Sequence, residues 1–383
     1  MSVLGFNAYL SQLLIIIEKR GKSMERSVLG VSVVVYICFL GSFQVVFSQS
    51  GVVNMKDFIS WDDMKVDEDK AKLNSRYDYN RSRIIVVDRN GEGDSLTVQG
   101  AIDMVPESNP HRVKIYILPG IYREKVLVPS TKPYISFIGK ESQCADTVIT
   151  WNNKASDMDS NGVELGTYRS ASVTIESDYF CATGVTFENT VVAEPGGYGM
   201  QAVALRVSGD KAFFHKVRIL GTQDTLLDET GSHFFYQCHI QGSVDFIFGK
   251  GRSLFQDCVL QSTAKRSGAI AAHHRDTPFD DSGFSFVGCV INGTGKILLG
   301  RAWGNYSRAI YSYCFIDDVI TPPGWSDWNY PDRQKTVFFG EYECSGRGAD
   351  TGGRVPWSKT FSYEEVRPFL DMQFINGDEW LRL

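Results

Sequence analysis

Two aspartates, Asp224 and Asp245, stand at the same place in two successive copies of a short repeat. The copies read FHKVRILGTQDTL (214–226) and FYQCHIQGSVDFI (235–247), and aligning Val217 with Cys238 leaves each aspartate seven residues further on. If each copy is one rung of a stacked β-structure, the two carboxylates face one side at the strand spacing, about 4.8 Å. Carboxylates that close do not ionise independently. One keeps its proton while the other stays charged, which divides them into an acid and a base or nucleophile. The plainer reading of Asp245 is a turn residue capping an amide, but a carboxylate inside VDFIF is costly without partners.

The neighbours of this pair suit carbonyl chemistry. Gln223 precedes Asp224, and Gln201 lies one interval earlier in MQAVALR. Glutamine supplies neutral donors for a developing oxyanion; an ordinary stacked amide ladder is the alternative. The segment LGRAWG (299–304) supplies Arg301 and Trp303. Arg301 is suited to pair with Asp245 and keep it ionised, although an Arg near a Trp is more often a surface stack.

The repeat must position these groups. Its units are FHKVRI (214–219), FYQCHI (235–240), FQDCVL (255–260), FVGCVI (286–291) and YSYCFI (311–316). Their Cys or Val positions are separated by 21, 20, 31 and 25 residues. That period with strand-like patterning predicts a solenoid. Periodic Leu and Asn are missing, so a leucine-rich repeat fits poorly. The pattern predicts an all-β, right-handed parallel β-helix with inward residues stacked along its axis. The longer intervals are expected to emerge as loops on one side, where a cleft could form. Upstream, RIIVVD (83–88) reads as a first strand. Leu96 to Val105 read as a short helix capped by Ser95 or Thr97 and ended by Pro106, and VKIYILPGIYREKVLV as two strands turning at Pro119-Gly120.

The remaining composition bounds the setting. Lys19, Arg20, Lys22 and Arg26 precede an apolar run from Val28 to Phe47, with small residues at Ser48 and Ser50. This describes a secretory signal within residues 1–50, with an upstream extension before Met24; a retained anchor is the alternative. Residues 51–82, polar and charged, read as a linker or loosely docked arm. The chain carries net charge −6, and losing residues 1–50, with four basic and two acidic residues, would leave −8. No basic face for nucleic acid is visible. Seven cysteines follow Cys38, an odd number, so at least one thiol stays free in an oxidising compartment. Cys238, Cys258, Cys289 and Cys314 fall at repeat positions, either as small buried residues or with one or two disulfides among them, Cys258–Cys289 being the preferred pair. Sequons at Asn80, Asn292 and Asn305 are compatible with a secreted glycoprotein.

The residues together resemble the plant-type pectin methylesterases (pectinesterases). The matching segments are GIYREKV (120–126), FENT (187–190), QAVALR (201–206), GTQDTL (221–226), VDFIFG (244–249), LGRAW (299–303) and PGW (323–325), in that family's order over residues 83–383. The resemblance implies a parallel β-helix, secretion to the cell wall, and hydrolysis of galacturonate methyl esters of pectin with release of methanol. It implies no metal or other cofactor, a monomer, and a proteinaceous inhibitor as a further partner. Carried over by motif, Asp245 is the nucleophile and Asp224 the general acid, then base. Gln201 and Gln223 resemble the oxyanion-stabilising amides, and Arg301 the residue that holds Asp245. Trp303, Trp325 and Phe248 resemble sugar-contacting residues, with Gln201 and Arg301 beside them. Two positions depart from the family. Ala302 stands where proline is usual, which is expected to loosen the loop holding Arg301 and Trp303. Leu227 stands where an aromatic is frequent. The large pro-region of many relatives has no counterpart in the 30 or so residues before the first strand.

Other activities on the same coil fit less well. A lyase would want an Asp-rich calcium site and a basic residue as base. A glycosidase would want carboxylates spaced for glycosidic hydrolysis. Neither explains the two glutamines. A serine esterase lacks its GxSxG elbow here. A binding or structural wall protein with a dead site is the remaining rival, and every carried-over catalytic position is filled.

Overall fold

The computed structural model describes residues 58–67, 82–194 and 196–383, together with the backbone of two short antiparallel strands, Val31–Val34 and Val46–Gln49. These two strands belong to a separate unit, Met1–Met55. The apolar segment read as a signal lies largely outside the described residues, as does the sequon at Asn80. Among the described residues, no helix is long and apolar enough to cross a membrane.

Strands of Lys56–Leu383 wind into a parallel β-helix. One sheet of eleven strands runs from Arg83–Val87 to Lys359–Thr360, each strand parallel to its neighbour one coil away. A second sheet holds two parallel series that converge on the long strands Val259–His273 and Val290–Arg301. A short helix, Val98–Asp103, closes the N-terminal end over the first coils. Thr97 caps it by accepting from the Gly100 amide at 3.0 Å, and Glu124 accepts from the amides of Val98 and Gln99.

The sequence repeat is the register. Phe214, Phe235, Phe255, Phe286 and Tyr311 pair in succession through adjacent strands. Their rings stack at centroid distances of 4.8, 4.7, 4.8 and 4.4 Å. Each such contact adds about 0.5–1.5 kcal/mol beyond the area it buries. Ile219, Ile240, Leu260, Ile291 and Ile316 form a second inward column. Because both columns are apolar and fully buried, a one-residue slip would turn them outward, and the register is fixed.

The coil turns its corner between these columns with one left-handed residue per rung: Gly184, Lys216, Gln237, Asp257, Gly288, Tyr313 and Glu343, with φ between 48° and 65°. For the five that are not glycine this conformation costs about 1–2 kcal/mol each. The corner amides of Lys216, Gln237, Asp257, Gly288 and Tyr313 each donate to a carbonyl of the following rung at 2.9–3.1 Å, which offsets part of that cost.

Immediately after each corner stands the column Val217, Cys238, Cys258, Cys289, Cys314. Here the structure corrects an expectation: Cys258 and Cys289 are not bridged, and all seven described cysteines are free thiols. The Cys258 thiol faces the carbonyls of Phe235 and Gln256, and the Cys289 thiol those of Phe255 and Val287. The stacked thiols interact from rung to rung as separate S–H groups, so vertical proximity alone does not make a disulfide.

The arm read as loosely docked is likewise corrected where it is described. Ile59 and Met64 are buried with Phe213, Phe234, Leu254, Trp380 and Leu381 against the outer face of the eleven-stranded sheet. Ile59–Ser60 pairs with Leu381–Arg382, and the buried Lys114 ammonium donates to the carbonyls of Asp62 and Lys65. Both ends of the β-helical unit are thus fastened to the same sheet, away from the two aspartates.

Candidate active site

Asp224 and Asp245 lie in the short crossings that lead into Leu226–Asp228 and Ile247–Gly249. These strands pair Leu226 with Ile247, so the aspartates, each two residues earlier, are one rung apart and in phase. The Asp224 amide donates to the Val244 carbonyl at 3.0 Å, and Gln223 bridges Val244 in parallel. Both aspartates are left-handed, with φ of 60° and 46°. Asp tolerates this conformation better than most residues, and it turns both side chains outward from the coil.

Arg301 is brought beside them by the long strand Val290–Arg301. Its Nε donates to Asp245 Oδ1 at 2.7 Å, and its Nη2 to Asp245 Oδ2. Burial pushes the Asp245 carboxyl upward, and this two-point charged contact opposes the push. Among the described residues, no such cation is bonded to Asp224. Burial first, and then the charge of Asp245, raise its carboxyl well above the ordinary range; the Gln223 side-chain hydrogen bond and the more distant charge of Arg301 oppose this weakly. The pair is therefore asymmetric: the upward push on Asp245 is opposed by a bonded cation, and that on Asp224 is the stronger.

One cleft of about 230 Å³ gathers Gln201, Gln223, Asp224, Asp245, Phe248, Arg301 and Trp303. Its floor is apolar: Phe248 and Ala272 line it and pack on the buried Val203 and Leu227, with Trp303 and Trp328 against the cluster. Leu227 is fully buried in this cluster, beneath the residues that line the cleft. Phe248 is buried, its ring 6.1 Å from that of Trp303, so it supports the platform from beneath.

Trp325, expected in the cleft, is elsewhere. It pairs with Gly300 in the inward column, is only 2% exposed, and stacks on Phe339 at 4.7 Å in the core. A Cβ on Gly300 would lie 3.0 Å from this ring, so the glycine makes room for it. The second tryptophan in the cleft, beside Trp303, is Trp328, whose ring centre lies 3.9 Å from the Arg301 guanidinium carbon. The usable signal was pairing parity. Gly300 and Trp325 share a column, so Trp325 points inward while Arg301 and the residues after Ser326 are free to face out. Thr167 and Tyr168, on the short helix Gly166–Arg169, also line the cleft and carried no sequence signal.

Ala302 does not leave its loop loose. It is buried, and its amide donates to the Ser326 carbonyl at 2.8 Å, a bond proline cannot make. Its own carbonyl accepts from Arg333 Nη1 at 2.5 Å. The loop between Arg301 and Trp303 is held from both sides by backbone groups.

Known proteins resemble this chain in sequence and in fold. The Pectinesterase family model matches residues 84–378. Pectinesterase QRT1 of Arabidopsis thaliana is 64% identical over 346 residues, covering 86% of this chain and 91% of that protein. Probable pectinesterase 8 of the same plant is 40% identical over 314 residues, covering 80% and 78% respectively. Among solved structures, a pectin methylesterase from carrot superposes with a TM-score of 0.72 at 34% identity, over 77% of this chain and 94% of that one. The Aspergillus niger pectin methylesterase gives a TM-score of 0.67 at 26% identity, over 78% of this chain and 96% of that one.

Proposed function

The chain belongs to the pectinesterase family of carboxylic ester hydrolases, and from that premise we propose that it removes methyl groups from the galacturonate methyl esters of pectin through an aspartate nucleophile and an aspartate acid/base. The observation that carries the reading is the two-point grip of Arg301 on Asp245 beside an Asp224 that burial and its charged neighbour keep protonated.

The charged Asp245 attacks the ester carbonyl carbon. Each of its oxygens has two lone-pair directions, so bonding to Arg301 leaves one free for attack while fixing the plane of the carboxylate. The side-chain amides of Gln201 and Gln223 donate to the oxygen that becomes negative. One such donor is typically worth about 10²–10³ in rate. As the carbonyl reforms, the bond to the methoxy oxygen breaks and Asp224 gives it a proton, so methanol leaves. An anhydride now joins Asp245 to the galacturonate. Asp224, deprotonated, takes a proton from water as the water attacks the galacturonate carbonyl. The anhydride opens, Asp245 regains its charge and Asp224 its proton. One ester and one water have become one acid and one methanol. The apolar floor and the Trp303 face suit the weakly polar face of a sugar ring. The apolar stretch before Ser48 supports delivery to the cell wall.

Methanol release from methyl-esterified pectin, compared between the wild-type protein and Asp245→Asn, tests this. The variant keeps the side-chain shape and removes the nucleophile, so release is expected to fall at least about a thousandfold with an unchanged melting profile. Wild-type turnover in that variant would overturn the mechanism.

A further inference from the structure

The sequons do not fare alike in the folded chain. Asn80 lies outside the described residues. Asn292 is half-buried in Val290–Arg301, next to the strand that carries Thr263, and its Oδ1 is enclosed with no hydrogen-bond partner among the described residues. A sugar on that amide would have to fit against the sheet. Asn305 stands instead in the turn that follows Trp303, and it is exposed. Arg333 Nε donates to Asn305 Oδ1 at 3.3 Å, and the Thr336 hydroxyl donates to the Asn305 backbone carbonyl. Fixing Oδ1 fixes the plane of the amide. Asn305 Nδ2 is left with no protein partner among the described residues. Ser307, the third residue of the sequon, is fully buried, its hydroxyl within 2.9 Å of the His273 and Gly304 carbonyls and of the Gly304 amide. This sequon is therefore accessible to an enzyme only before its rung folds.

Beside Asn305 opens a cavity of about 430 Å³ that shares no residue with the catalytic cleft. That volume falls in the range of small-molecule sites, about 300–1,000 Å³. Tyr306, Tyr330, Pro331 and Arg333 line it. Tyr330 is 56% exposed, a large ring left in solvent, and its centre lies 4.1 Å from the Arg333 guanidinium carbon. Such a ring suits the weakly polar face of a hexose. Arg333 spends Nε on Asn305 and Nη1 on the Ala302 carbonyl, so Nη2 is the donor left over for an N-acetyl carbonyl. The proposed ester chemistry makes no use of this cavity.

We propose that Asn305 carries an N-linked glycan whose first sugars lie in this cavity. The donor class is an oligosaccharide with N-acetylglucosamine at its reducing end, joined to a lipid pyrophosphate. Asn305 Nδ2 forms a bond to the anomeric carbon. The bond from that carbon to the phosphate oxygen breaks, the lipid pyrophosphate leaves, and one Nδ2 hydrogen departs as a proton. Oδ1 and the second Nδ2 hydrogen remain, so the Arg333 contact survives the modification. Through Arg333 the glycan then braces the Ala302 carbonyl and the loop between Arg301 and Trp303. This rests on delivery of the chain into the secretory pathway and not on the ester chemistry.

The test expresses the full chain in a secreting, glycosylating host and recovers it from the medium. Peptide N-glycosidase in heavy-oxygen water turns a glycosylated asparagine into a heavy-oxygen aspartate. Trypsin then frees residues 302–308, which hold no other sequon, for mass spectrometry. That peptide is expected to carry the heavy label, and only when the glycosidase was present. The seat is tested on the native protein: Tyr330→Ala should keep Asn305 occupied and speed enzymatic release of its glycan several-fold over wild type. Secreted protein whose 302–308 peptide stays unlabelled would overturn the site. Equal release rates from wild type and Tyr330→Ala would overturn the cavity as the seat. A chain held in the cytosol without sugar would overturn the secretory reading and the glycan together. Methanol release by the same preparation reports on the esterase reading separately.

Discussion

Arg301 grips Asp245 with two nitrogens, whereas Asp224, one coil away, is hydrogen-bonded by the neutral amide of Gln223. Two aspartates, both in the left-handed backbone region, are thereby made chemically different by what the flanking rungs deliver to each. The repeat supplies the pairing, and Arg301, which arrives from Val290–Arg301, supplies the asymmetry.

On the proposed mechanism that asymmetry sets the pH dependence of catalysis. Asp245 must be ionised, so activity appears as pH climbs through its raised folded-state pKa. Asp224 must be protonated, so activity is lost as pH climbs through its own, which lies higher. The profile of kcat is therefore expected to be a bell whose limbs belong to the pair as a unit. Arg301→Ala removes the group that holds Asp245 down. Its acid limb should move to higher pH and its maximum kcat fall by about 10²–10³. A profile with an unmoved acid limb would show that Arg301 does not govern the ionisation of Asp245.

The two neighbouring tryptophans make opposite predictions. Trp325 is a core residue stacked on Phe339, so Trp325→Ala should cost about 3–5 kcal/mol of stability. Trp328 lies over Arg301 at the cleft, so Trp328→Ala should raise KM several-fold and leave the denaturation midpoint almost in place. Thermal or urea unfolding beside steady-state kinetics separates them. A stable Trp325→Ala protein with a raised KM would return Trp325 to the cleft.

The repeat made the coil legible, because an aromatic, a small residue and an aliphatic at fixed offsets leave one workable register, and that register put Asp224 over Asp245. Arg301 and both glutamines were readable because their chemistry complements a charged pair. The corners were not: Lys216, Gln237, Asp257, Tyr313 and Glu343 adopt a left-handed conformation with no glycine or asparagine to announce it. They do so because the rungs on either side fix the backbone, a tertiary cause that local propensity does not carry. Trp325 was misplaced because a tryptophan near a cleft motif fits a sugar platform as well as a core, and only the strand pairing with Gly300 decides. Trp328 sits in a turn and Tyr168 on a helix of four residues, both too short for any periodicity to encode.

A buried ion pair close to the site gives the fold its own pH response. His233 and Asp228 are both fully buried, with Nδ1 2.5 Å from Asp228 Oδ1 and Nε2 2.9 Å from the Gly209 carbonyl. Both partners accept only, so both ring nitrogens carry hydrogens and the imidazole is a cation. Burial works against that charge, but the carboxylate and the carbonyl outweigh it and raise the pKa of His233. A raised folded-state value means the stabilisation is fully present below the unfolded pKa, about 6.5, and is lost as pH rises through the folded-state value. The wild-type melting temperature should therefore decline over that alkaline window. His233→Gln, which keeps a donor but cannot titrate, should start lower at pH 6 and show a flatter profile above it. Parallel curves for the two proteins would mean that His233 is not the titrating group.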